Sequence, residues 1–130
     1  MREIISFQTK SRFLNLISSN SQNVQVVHTD GSILGMMSAI GHSDFYVNFG
    51  KTQPGCGSSM CNHSRAYLYF VESILNNRFM ANKCANYYEI TTGNCTIQAT
   101  GLIMGGEPPS YGLTGVFVLS TNGRSPFGRG

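Results

Sequence analysis

The chain has 130 residues, of which 41% are hydrophobic and only 12% charged, and its net charge is +3. That is enough apolar material for one core, in a small domain or in a piece of a larger one. The nine basic residues are scattered, which excludes a nucleic-acid footprint, and no apolar run is long enough to cross a membrane.

Residues 1–23 are polar and rich in Ser and Asn, with an amphipathic patch at Phe13, Leu14, Leu16 and Ile17. Loop with one short helical turn is expected there. Met1–Phe7 is charged and soon turns polar, so it lacks the apolar stretch of a secretory leader. Val24-Gln25-Val26-Val27 is a β-branched run that meets an Asp30-Gly31 turn, which reads as a strand. From Gly31 to Gly55 glycine recurs every few residues, and Phe45, Tyr46 and Phe49 fall among them. A long packed loop region is expected, of the kind that carries function.

Ala66, Tyr67, Phe70 and Ile74 recur at three- and four-residue spacing. This predicts a helix that starts near Asn62, a good N-cap residue, and ends near Asn76-Asn77. Residues 84–109 read as irregular. Gly115–Thr121 reads as a last strand, with Val116, Val118 and Ser120 on one face and Phe117 and Leu119 on the other.

Four cysteines, Cys56, Cys61, Cys84 and Cys95, cluster in the middle of the chain. An even number at short spacing favours disulfides and an oxidising compartment, although spacing alone leaves the pairing open. A zinc site from Cys56, Cys61 and His63 lacks a second paired half, so disulfides are the better reading. Two sequons, at Asn62 and Asn94, are compatible with secretion. A disulfide-type composition without a leader implies a native chain that begins upstream. His63 follows Cys61 by two residues at the predicted helix start. Disulfide and helix together hold a side chain as general-base chemistry requires.

Several segments carry a resemblance, in collinear order over about residues 12–130. They are Cys61–Ile74 (CNHSRAYLYFVESI), Val24–Gly31 (VQVVHTDG), Gly41–Gly50 (GHSDFYVNFG), Gln53–Cys56 (QPGC), and a tail of Met104–Glu107 (MGGE) with Gly115–Phe127. Together they resemble the pancreatic-lipase family, and the tail resembles its insect lipase and phospholipase A1 branch. The resemblance implies an α/β fold: residues 1–130 would be the C-terminal portion of an α/β-hydrolase (lipase) domain, incomplete, with a short lid loop at 56–61. It implies that His63 is the histidine of a Ser-Asp-His triad. It also implies the disulfides Cys56–Cys61 and Cys84–Cys95, each closing a short loop for roughly 2–3 kcal/mol.

No Gly-x-Ser-x-Gly elbow occurs in the sequence. Gly41-His42-Ser43 continues into Asp44-Phe45, where an elbow needs x-Gly, so Ser43 receives no catalytic role. Asp30 and Asp44 are the only aspartates, and neither matches the triad acid. Turn or capping roles are expected for both. Serine and acid are expected upstream, in the missing N-terminal half.

His28 and His42 read as loop-packing residues. Arg65 reads as a surface or active-site cation, and Tyr67, Tyr69 and Phe70 as core. A glycan on Asn62 would obstruct substrate.

Only four residues separate Cys56 from Cys61. They are too few for an amphipathic lid helix. The resemblance pairs such a loop with phospholipase A1, so the expected activity is sn-1 acyl hydrolysis of glycerophospholipids at a lipid interface. No metal or cofactor is expected, and the expected location is extracellular. The alternatives are a catalytically inactive lipase-fold protein of yolk, storage or binding type, and a truncated gene product.

Overall fold

The computed structural model of the chain describes residues 3–6, 23–95, 102–107 and 113–130. The predicted turn at Phe13–Ile17 lies outside the described residues. The elements are β1 (Glu3–Ser6), β2 (Asn23–His28), β3 (Ser43–Val47), a 3-10 turn (Asn48–Gly50), α1 (Ser59–Leu75), β4 (Met80–Cys84), α2 (Tyr87–Thr92), β5 (Leu102–Ile103) and β6 (Gly115–Leu119). The strands form one sheet in the order β1-β2-β3-β6-β4-β5. The first four in that order are parallel, while β4 runs antiparallel to both β6 and β5.

The sheet separates two packed layers. On the α1 side, Val27, Phe45, Val47, Phe117 and Leu119 meet Ala66, Tyr69, Phe79, Met104 and Phe127. Phe45 and Phe117 are register partners whose rings stack at 4.8 Å. On the other side, Tyr46 and Val116 meet Cys84 and Ile90. The predicted alternation of β6 therefore holds, with Phe117 and Leu119 on the α1 face. Both disulfides form as the resemblance implied, Cys56 with Cys61 and Cys84 with Cys95.

Four expectations need correction. Residues 1–23 are not loop throughout, because Glu3–Ser6 is the strand β1, paired in parallel with residues 23–26. The stretch Gly31–Gly55 is not loop throughout, because Ser43–Val47 is a strand and all five of its residues are buried. A strand inside a parallel sheet is covered on both faces and shows no polar–apolar alternation. Its polar Asp44 is hidden by pairing with His28.

The helix begins at Ser59, with Ser58 as N-cap through a bond from Cys61 N to its Oγ (3.2 Å). Asn62 is therefore inside the helix. The buried face is Asn62, Arg65, Ala66, Tyr69 and Ser73, whereas Tyr67 and Ile74 are exposed. Polar side chains with internal partners took the inward positions.

The stretch 84–109 holds α2 and β5, two elements too short for a periodicity to register. Among the described residues, no helix is long and apolar enough to cross a membrane.

Candidate active site

The C-terminal ends of β2 and β3 and the first turns of α1 converge. After β2 the chain turns at Asp30, whose carbonyl accepts from Gly35 N (2.9 Å) and whose Oδ2 accepts from Leu34 N (3.0 Å). The same Oδ2 receives the hydroxyl of Ser59 in the first turn of α1. Thr29 Oγ1 donates to the main-chain carbonyl of His63 at 3.4 Å. The β2 end is thus joined to the histidine-bearing turn at two points.

His63 is half-buried, between buried Asn62 and exposed Ser64. Before it comes the Cys56–Cys61 loop, of which only Gly57 and Ser58 lie outside the helix. Asn62 accepts the main-chain N–H of Gln53 at 2.8 Å and is 7% exposed. A ring held on a capped, disulfide-tethered helix turn, with one side open, suits proton transfer to and from a second group.

Arg65, two residues on, is buried rather than on the surface. Its Nη2 donates to the Gly123 carbonyl at 3.2 Å, and its guanidinium lies 4.7 Å from the Phe127 ring centroid. It fastens α1 to the C-terminal segment.

The other histidines serve elsewhere. His28 Nε2 lies 2.8 Å from Asp44 Oδ1, and its Nδ1 donates to the Met36 carbonyl at 2.8 Å. Its ring stacks on Tyr46 at 4.2 Å. Asp44 also accepts from Ile40 N (3.0 Å) and Gly41 N (3.1 Å), while the Tyr46 hydroxyl donates to the Met37 carbonyl at 2.6 Å.

An acid–base pair of this composition looks catalytic, but it is sealed: His28 is 0% and Asp44 2% exposed. Its bonds go to the loop between β2 and β3, which it clamps down. Burial, the Asp44 charge and Tyr87 raise the Tyr46 pKa. His42 Nδ1 accepts from Val24 N at 2.9 Å. Ser43 is fully buried on β3, a poor place for a nucleophile. The roles of Thr29, Gln53 and Tyr69 around the histidine helix carry no local sequence signal beyond membership of the motifs quoted above.

Comparison with known proteins fits this geometry. The family model "Lipase" matches residues 3–127. A phospholipase A1 of Vespula squamosa is 32% identical over 126 residues, 94% of this chain and 42% of that protein. A pancreatic triacylglycerol lipase of Oryctolagus cuniculus is 30% identical over 155 residues, 95% of this chain and 33% of that protein. Phospholipase A1 2 of Polistes dominula is 42% identical over 69 residues, 53% of this chain and 22% of that protein. The chain spans less than half the length of these relatives. The match nonetheless runs from one end of the chain almost to the other, and the chain belongs to the lipase family.

Proposed function

We propose that this chain is the histidine-bearing, C-terminal portion of an α/β-hydrolase domain that cleaves the sn-1 acyl ester of glycerophospholipids. The observation that carries the reading is His63 on a helix turn tethered by Cys56–Cys61, behind a loop of only two residues outside the helix.

In this reading a serine from outside these 130 residues attacks the ester carbonyl. His63 takes the serine proton and delivers it to the departing lysophospholipid oxygen. Water then attacks the acyl-serine carbon as His63 takes its proton, and His63 returns that proton to the serine oxygen as the acyl–oxygen bond breaks and the fatty acid leaves. A carboxylate, also from outside the chain, orients the ring, and backbone N–H groups hold the oxyanion.

The short loop supports phospholipid over triglyceride as substrate. The alignment lengths support it too. The Vespula phospholipase aligns over 126 residues, but the rabbit triacylglycerol lipase needs 155, more than this whole chain, and so carries extra residues within the matched span. Two disulfides support an extracellular location.

The test is release of sn-1 acyl chains from phosphatidylcholine against hydrolysis of triolein by the full-length protein. Dominant phospholipid cleavage is expected, with a loss of about 10⁴-fold or more in His63→Ala. Dominant triolein hydrolysis would refute the substrate assignment, and unchanged turnover in His63→Ala would refute the role of the histidine.

A further inference from the structure

Gln53 lies in the loop between the 3-10 turn and the Cys56–Cys61 loop, outside any regular element, yet it is 4% exposed. Its Nε2 donates to the carbonyls of Thr29 (3.0 Å) and Val47 (2.9 Å). Its Oε1 accepts from Asn48 Nδ2 (2.7 Å) and the Tyr69 hydroxyl (2.9 Å). Two donated and two accepted bonds use the full capacity of a primary amide. They also fix its orientation: a flipped amide would set its oxygen against two carbonyls and its nitrogen against two donors. The main-chain N–H of the same residue donates to Asn62 Oδ1. One residue therefore ties together the ends of β2 and β3, the 3-10 turn and two points on α1.

The two points on α1 matter most. Asn62 and Tyr69 are seven residues apart, about two helical turns, and share the buried face. Fixing both sets the rotation of the helix about its axis and its position along it. His63 follows Asn62 by one residue, about 100° around the helix, so its direction is set wherever that face is held. Thr29 closes the circuit. Its carbonyl is bound by Gln53, and its hydroxyl reaches the His63 carbonyl. We infer that Gln53 is the positioning residue for His63, setting the register and rotation of the helix that aims the imidazole at its reaction partners.

The inference rests on His63 acting as general base, and its test separates the two. Gln53→Met keeps the side-chain length and removes all four amide bonds. In the full-length protein, kcat on a soluble short-chain ester should fall about 10- to 100-fold with KM changed less than about twofold, the pattern of a misplaced catalytic group. The His63 ring resonance, assigned through His63→Ala in histidine-labelled protein, should shift or split while that of His42 holds. Tyr69→Phe removes one of the four amide bonds, together with the bond that the hydroxyl accepts from Thr121 Oγ1, and should move both readouts in the same direction by a smaller step. If Gln53→Met does not fold, Tyr69→Phe decides.

An unmoved His63 resonance and unchanged kcat, with only a lower melting temperature, would make Gln53 structural and overturn the inference. If the wild-type protein hydrolyses no ester, the catalytic reading fails instead, and the resonance alone decides whether Gln53 places the ring.

Discussion

Asn62 opens a sequon, but its side-chain oxygen accepts the Gln53 N–H and the residue is 7% exposed. A glycan needs that amide turned outward, at the cost of a buried bond and of the helix register. Peptide mapping of the full-length protein expressed through a glycosylating secretory pathway should find Asn62 unmodified; a glycopeptide at Asn62 would contradict its inward placement.

Burial, the nearby Asp44 charge and Tyr87 hold the Tyr46 pKa above its ordinary value, and burial does the same for Tyr69. The folded state therefore keeps these protons more tightly than the unfolded state. The stability this contributes is whole below the unfolded tyrosine pKa of about 10 and is lost as pH rises through the higher folded values. Melting temperature should hold up to about pH 10 and fall above it. The fall should be shallower in Tyr46→Phe, and an equally steep fall would place the alkaline sensitivity elsewhere.

At this scale the place of His63 in the first turns of α1 was legible because it stands in a dense motif. The His28–Asp44 clamp was not, because its two members are sixteen residues apart and only the pairing of β2 with β3 brings them together.

Among the elements, α1 carries the most connections. Glu72 reaches the C-terminal segment, accepting from Phe127 N and Gly128 N at 2.8 Å each and from Ser125 Oγ at 3.1 Å. Phe127 in turn packs edge-on against Tyr69, with centroids 5.1 Å apart. Hydrogen bonds to a carboxylate contribute more than neutral ones, and this group is only half-buried. Glu72→Ala should therefore destabilise the fold by about 2 kcal/mol and expose the last residues to carboxypeptidase. Equilibrium unfolding would measure the first effect and timed digestion the second; wild-type behaviour in both would remove the anchoring role.

The existence of α1 and β6 followed from their periodicity, but the face of α1 did not. Hydrophobic spacing pointed to Tyr67 and Ile74, whereas Asn62, Arg65 and Ser73 turned inward, each to an internal partner, although the buried Arg65 Nη1 has none. Strand β3 was hidden for a related reason: its aromatic residues face opposite layers, and its acid is neutralised by a strand earlier in the chain. The turn after it adds an unusual backbone. Asn48, Phe49 and Gly50 all have positive φ, and the Asn48 side chain is tied to Gln53 and Thr121.

For the whole molecule, the sheet and its two layers are built, but exposed Ile33, Met60, Leu68 and Leu75 leave apolar surface outside. With no Gly-x-Ser-x-Gly in the sequence, residues 1–130 expressed alone should be poorly soluble and give no esterase turnover. Soluble protein that hydrolyses p-nitrophenyl butyrate and loses this on His63→Ala would show that the segment contains its own nucleophile.

The Cys56–Cys61 loop has one further property. A Cβ at Gly57 would meet nothing within 4 Å, while the bonds that fix the histidine helix, from Ser58, Asn62 and Gln53, all lie to either side of it. The loop and the helix turn that carries His63 are therefore mechanically separate. Sequence inserted at Gly57 would emerge as a module on a socket, sealed at its base by the disulfide, so the loop can be exchanged or lengthened without disturbing the bonds that place His63.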